Sequence, residues 1–383
     1  MYDPTTQPAR PTVATAHRVV LKLGTRVLTH EGGRLALARL FAVVEAAAEL
    51  RAAGKEVLLV SSGAVGLGKD ALGLEAIPEE LSERQACAAV GQTRLMGLYD
   101  GGFSRLGQVC GQVLLSQDDF DDRVRYLNLR STLNALLRRG VVPVINENDA
   151  VSTDELAFVE GAKRRIFGDN DRLSALVATE LDADLLVLLT DVDGVYDRDP
   201  KKDPAARLMS QVDDPESLRD AAGGPGSAVS RGGMRSKVEA AAMAARGGCQ
   251  AIIASGLDAT VLCGVLRGEA VGSWFPAGRG LQARRRWIAF ATAPRGSLEL
   301  DDGAVAALRE RGASLLAAGV SRVLGDFHQG DVVELLDAAG HTVGRGIVHC
   351  DAATARLWSG GRPPEGVRNH HALVHRDHLA LES

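Results

Sequence analysis

The sequence has no long apolar run, no excess of basic charge and no dense set of cysteines. No stretch approaches the roughly 20 apolar residues needed to cross a bilayer, and Met1 to Ala16 lacks the hydrophobic segment of a secretory signal. The 44 basic and 49 acidic residues leave a net charge of -5, so the overall balance draws the chain neither to nucleic acid nor to anionic membrane. Any basic site must be local. The five cysteines, at positions 87, 110, 249, 263 and 350, form no Cys-x-x-Cys pair and fall short of a secreted disulfide scaffold, which points to buried, reduced thiols and a cytoplasmic compartment. A chain of 383 residues has ample core for two domains.

What is present is a regular alternation of apolar strands and helical patterns over the first two-thirds. Strands are expected at 18–23, 56–61, 108–115, 141–146, 185–190 and 250–254. Amphipathic helices are expected at Leu35 to Ala53, Glu83 to Tyr99 and Tyr126 to Arg139, with Gly54 and Gly140 as stops. Strands apolar on both faces belong in a mostly parallel sheet covered by helices, a three-layer α/β architecture that binds ligands at the strand carboxyl ends.

Polar residues gather at those ends. Lys22 sits where an apolar strand runs into Gly24, and a lysine so placed needs an anionic partner. Gly168-Asp169-Asn170-Asp171 opens an apolar-periodic helix, whose start suits anions; the plainer reading is an N-cap at Asn170 or Asp171. Gly232-Gly233-Met234-Arg235-Ser236-Lys237 feeds a second helix, rich in alanine, that runs to Arg246. Two lysines and two helix starts imply a polyphosphate ligand. Gly63 to Asp70 fits all but the last position of the P-loop pattern, but Asp70 replaces the hydroxyl that holds Mg²⁺ and Gly73 and Pro78 interrupt the helix behind it, so the P-loop reading is rejected.

In these motifs the chain resembles the amino acid kinase family, and within it the glutamate 5-kinases. Lys22-Leu-Gly-Thr25, Ser61-Ser62-Gly63-Ala64, Val144-Ile-Asn146-Glu-Asn-Asp149, Gly168-Asp-Asn-Asp171, Leu189-Thr190-Asp191 and Gly233-Met234 through Lys237 occur in that family's order. The resemblance implies an amino acid kinase fold and transfer of the γ-phosphoryl group of ATP, as its Mg²⁺ complex, to the γ-carboxylate of L-glutamate, the step that opens proline biosynthesis. It casts Lys22, Lys237 and Asp171 as catalytic, the lysines on the phosphates and Asp171 orienting them. Ser62, Asp149, Asn170 and Asn146 would take glutamate, and Lys22, Thr190, Asp191, Gly232, Gly233, Met234 and Lys237 would take ATP. In this reading the glycines after Ser62 let that residue and the backbone approach the substrate. The resemblance further implies a homo-oligomer, proline as feedback inhibitor and a glutamyl-phosphate reductase that consumes the product. Another family member, acting on aspartate, acetylglutamate, carbamate or a nucleoside monophosphate, is the alternative, and an RNA-binding regulator without turnover is the rival of a different class.

The expected domains are a disordered arm at 1–16, the kinase domain at 17–273, a linker at 274–285 and a small β-rich domain at 286–383 that resembles a PUA pseudobarrel. Short strands are expected there at Trp287 to Ala291, Gly330 to Leu336 and Thr342 to Val348. From residue 284 onward 12 arginines offset 12 acidic residues, which argues against RNA as a partner. His370, His371, His375 and His378 crowd a tail and read as solvated, with no metal site expected. Two departures from the family stand out: a longer connection at 155–166 and Arg231 where the family has a small hydroxylated residue. Both bear on substrate affinity and regulation.

Overall fold

The computed structural model describes residues 10–30, 34–151, 170–198, 200, 203–215, 233–278, 288–289, 293–359 and 372–381. It divides into two compact units, one of residues 1–119 and 123–280, the other of 120–122 and 281–383.

The elements of the first unit run in chain order as α1 (Pro11–Ala14), β1 (Arg18–Leu23), α2 (Thr25–Leu28), α3 (Leu37–Ala52), β2 (Glu56–Val60), α4 (Ala64–Ala71), α5 (Leu81–Arg105) and β3 (Cys110–Leu115). After the short α6 (Asp118–Asp121) come α7 (Arg123–Arg138), β4 (Val142–Glu147), α8 (Asn170–Glu180), β5 (Leu185–Thr190), α9 (Met234–Arg246), β6 (Gln250–Ser255), α10 (Ala259–Leu266) and β7 (Ser273–Phe275). The strands form one sheet in the order β3-β4-β2-β1-β5-β6-β7, parallel except where β7 pairs antiparallel with β6.

Period-two alternation divides the core into two faces. Val19, Leu21 and Leu23 of β1 pack with Leu40 and Val43 of α3, Leu95, Tyr99 and Phe103 of α5, and Leu262 of α10. Val20 and Lys22 therefore project from the opposite face, the one on which α8 packs against β1. Layers of helix, sheet and helix result. A buried strand can tolerate a lysine at its end only if that second helix layer brings a counter-charge to it.

Glycine spacing explains how α4 and α5 pack. A Cβ at Gly68 would lie 1.7 Å from the Cys87 carbonyl oxygen, and one at Gly91 would lie 1.8 Å from that of Ala64. Gly68 of the rejected P-loop is therefore a helix-packing residue, and Lys69 is paired with its neighbour Asp70 at 2.8 Å. Helix α5 starts two residues before the expected span and runs six past it, through Gly101 and Gly102 to Arg105.

Two expected boundaries are corrected. The disordered arm does not extend to Ala16: Arg10 donates to the carbonyls of Val271 (2.7 Å), Ser210 (2.7 Å) and Gly272 (3.1 Å), which anchors α1. The linker does not begin at Trp274, because Trp274 and Phe275 pair with Ile252 and Ala251 in the sheet.

The second unit holds β8 (Gly296–Leu300), α11 (Asp302–Arg311), β9 (Leu315–Leu316), β10 (Val320–Gly325), β11 (Val332–Leu336), β12 (Thr342–Val348), α12 (Ala352–Ser359) and β13 (Ala372–Leu381). Its sheet has the order β10-β8-β11-β12-β13-β9, antiparallel except between β8 and β11. Leu298, Leu300, Phe327, Val333, Leu335, Val343 and Leu373 fill its core. Ile288 and Ala289, expected in a strand, lie in a helical turn. Among the described residues no helix is long and apolar enough to cross a membrane.

Candidate active site

One carboxylate organises the carboxyl ends of the strands. Asp171, in the first turn of α8, is fully buried. Its Oδ1 lies 2.5 Å from Lys22 Nζ at the end of β1, and its Oδ2 lies 3.1 Å from Lys237 Nζ in the first turn of α9. The Ser236 hydroxyl donates to the same Oδ2 at 2.9 Å. The lysines are 3% and 7% exposed, so their charges cannot be left to water. Two ammonium groups and one carboxylate sum to a formal charge of +1, a cluster complementary to an anion. Helix α9 begins at Met234 with Gly233 as its N-cap, and no side chain caps it.

Next to Asp171 on the same helix, Asn170 starts a second constellation. Its Nδ2 donates to the Ser61 carbonyl at 2.8 Å, to Ser62 Oγ at 3.0 Å and to Asn146 Oδ1 at 3.0 Å. Asn146 donates in turn to Gln92 Oε1 at 2.9 Å. The Ser61 and Tyr99 hydroxyls share a buried hydrogen bond of 2.8 Å, and burial pushes the Tyr99 phenol up to about 12, against the Ser61 bond that pulls it down. Asp149, in the turn after β4, lines a cavity of about 160 Å³ together with Gln92, Thr93, Gln112, Glu147 and Asn148.

Thr190 and Asp191 stand at the carboxyl end of β5, beside β1. The Thr190 hydroxyl donates to Asp191 Oδ1 at 3.1 Å, and Arg26, in α2 just beyond Lys22, reaches Asp191 Oδ2 at 2.9 Å. Burial alone would raise the Asp191 carboxyl; the Arg26, backbone and Thr190 hydrogen bonds more than offset it and hold it below its ordinary value.

The structure thus brings Lys22, Asp171 and Lys237 together, and separately Ser62, Asn146 and Asn170. Gly233 and Met234 open α9 beside Lys237. Gly232, Arg231 and the 155–166 connection lie outside the described residues. Sequence reasoning missed Gln92, Ser236, Arg26 and Tyr99. Ser236 was within the quoted glycine-lysine motif; Gln92 and Tyr99 lie on a helix read only for its amphipathic pattern. In the second unit His375 and His378 meet His349, with ring centroids 6.5 and 5.1 Å from it. Among the described residues no group of three His, Cys, Asp or Glu could hold a metal ion. Cys87, Cys249 and Cys350 are buried thiols and Cys110 and Cys263 half-buried ones.

The amino acid kinase family matches residues 17–255, and the PUA domain matches residues 296–366. Glutamate 5-kinase from Marinomonas sp. is 44% identical over 381 residues, which cover 97% of this chain and 99% of that protein. The glutamate 5-kinases of Pseudomonas entomophila and Moorella thermoacetica are 44% and 43% identical, over 97% and 98% of this chain and 100% and 99% of their own lengths. The matched kinase span contains Lys22, Asp171, Ser236 and Lys237. The chain belongs to the amino acid kinase family, in its glutamate 5-kinase branch, which carries a carboxy-terminal PUA domain.

Proposed function

We propose that this protein transfers the γ-phosphoryl group of ATP to the γ-carboxylate of L-glutamate, giving L-glutamyl 5-phosphate, the first step of proline biosynthesis. The observation that carries this reading is the Asp171 carboxylate clamped between Lys22 and Lys237, with Asn170 beside it in a separate cluster of amides and a hydroxyl. Two anions must meet in this reaction, so the protein's task is neutralisation and alignment. A carboxylate is already deprotonated at neutral pH and needs no general base. In this reading Lys22 faces the transferred phosphoryl group and Lys237 the charge that builds on the leaving phosphates. Asp171 keeps both ammonium groups on course.

Asp149 takes the α-ammonium group, which a carboxylate suits, and Ser62, Asn146 and Asn170 supply hydrogen bonds to the amino acid. Thr190, Asp191, Gly232, Gly233 and Met234 contact the nucleotide. Mg²⁺ would enter on the ATP phosphates, since the described residues form no metal cage of their own. Bound there, it spreads negative charge over the polyphosphate. A cytoplasmic homo-oligomer, inhibited by proline and supplying its acyl phosphate to a glutamyl-phosphate reductase, completes the proposal.

The test is an acceptor comparison. With ATP, Mg²⁺ and hydroxylamine, glutamate should give a hydroxamate, whereas aspartate, acetylglutamate, carbamate and a nucleoside monophosphate should not serve as phosphoryl acceptors. Transfer to one of those acceptors and not to glutamate would replace this reading with another member of the family.

A further inference from the structure

Gln92 is buried in α5, 8% exposed, and its carboxamide ends a relay whose direction is set from the main chain. The Ser61 carbonyl can only accept, so the Asn170 atom 2.8 Å away is the donor Nδ2. That nitrogen also donates to Asn146 Oδ1 at 3.0 Å, which turns Asn146 Nδ2 toward Gln92 Oε1 at 2.9 Å. Each amide forces the orientation of the next. Two buried atoms are left at the ends without a hydrogen-bond partner among the described residues: Asn170 Oδ1, an acceptor, and Gln92 Nε2, a donor. Native interiors seldom leave such atoms unmatched without a use.

Gln92 also lines the cavity of about 160 Å³ that Asp149 lines, a space for several waters or one small organic molecule. We propose that Gln92 is a specificity residue for the amino-acid substrate, its Nε2 donating to the α-carboxylate while Asn170 Oδ1 accepts from the α-ammonium group. An amino acid presents that acceptor and that donor on one carbon. A neutral amide suits the position: Glu147 and Asp149 line the same cavity, so an acid at 92 would add to their repulsion of a carboxylate and a lysine would pair with them instead. This inference rests on glutamate being the acceptor, as proposed above.

The experiment follows hydroxamate formation by the full chain and by the Gln92→Met and Gln92→Glu variants, with glutamate and with its α-amide. Methionine removes both relay functions at similar size; glutamate keeps the acceptor and replaces the N–H donor by an oxygen. Both variants should raise the glutamate KM about tenfold or more, the weight of a hydrogen bond to a charged group, with the ATP KM held within about twofold. Gln92→Glu should also shift the ratio of kcat/KM for the α-amide over glutamate upward about tenfold, because its oxygen accepts from the amide N–H. If Gln92→Glu does not fold, Gln92→Met carries the KM test alone. A glutamate KM within about twofold of the unaltered protein's in every folded variant overturns the proposal. So does a raised KM with an unchanged α-amide ratio in Gln92→Glu, which leaves Gln92 only its part in the relay. Absence of glutamyl hydroxamate from the unaltered protein marks a failure of the acceptor reading itself and removes this proposal with it.

Discussion

Lys22 Nζ lies 2.5 Å from Asp171 Oδ1, and both side chains are cut off from solvent. The strand that carries Lys22 and the helix that carries Asp171 need each other, since neither charge could be buried alone. Replacing Lys22 or Lys237 with alanine should lower turnover by a factor on the order of 10² or more with the fold retained, because each faces charge that develops on phosphate. Lys69→Ala, which removes the pair with Asp70, should leave turnover near normal. Steady-state assays of the three variants check this, and near-normal turnover in both Lys22→Ala and Lys237→Ala would exclude the assigned roles.

Asp171→Asn keeps the shape of the side chain and removes its charge, leaving two neighbouring lysines without their shared carboxylate. Breaking a buried ion pair from one side costs about 3–5 kcal/mol, so chemical denaturation should show a loss of that order along with the loss of turnover. A variant as stable as the original would mean that the lysines find other anions in the fold.

Gly68 and Gly66 sit on the same helix and make a matched pair. A Cβ at Gly68 meets the Cys87 carbonyl oxygen at 1.7 Å, whereas one at Gly66 meets nothing within 4 Å. Gly68→Ala should cost about 3 kcal/mol or more by forcing α4 from α5. Gly66→Ala should stabilise by up to about 1 kcal/mol through helix propensity. Urea midpoints of the two variants decide whether these glycines serve packing.

Asp191 titrates below its ordinary value of 3.8 in the folded chain, with Arg26 as its ionic partner. A lowered folded-state value means that the carboxylate adds stability above the ordinary value, and that this is lost as pH falls through the lowered one. Arg26 is well exposed, so the contribution is at most about 1 kcal/mol. Arg26→Ala should therefore be less stable than the unaltered protein at neutral pH, and the two should converge as acid titrates Asp191. Stability curves against pH test the sign directly.

The sheet was legible because its strands are buried on both faces: 18–23 and 185–190 coincide with β1 and β5, and other ends differ by one or two residues. Lys22 and Asp171 in the first turn of α8 were legible because a charge next to an apolar run demands a partner. What could not be read was which partner, since the α9 lysine meets Asp171 only after a crossover between strands. Gln92 was hidden for the opposite reason, an uncharged side chain inside a long helix. In the second unit β8, β10 and β13 escaped because register shifts between β8 and β10 and between β12 and β13 break the alternation. Helix α11 left usable signs, with Asp301 accepting from the Ala304 N–H at its start and Gly312 in the left-handed region at its end.

The central claim, that a glutamate carboxylate oxygen attacks the γ-phosphorus of ATP, is tested most directly by isotope transfer. Glutamate labelled with heavy oxygen in its γ-carboxylate is turned over with ATP, Mg²⁺ and hydroxylamine, and the released phosphate is analysed by mass. Attack by the carboxylate leaves one labelled oxygen bridging carbon and phosphorus, and hydroxylamine then frees phosphate that keeps it. One labelled oxygen per phosphate, formed in step with the hydroxamate, is the predicted result. Unlabelled phosphate would show that water, and not glutamate, accepts the phosphoryl group.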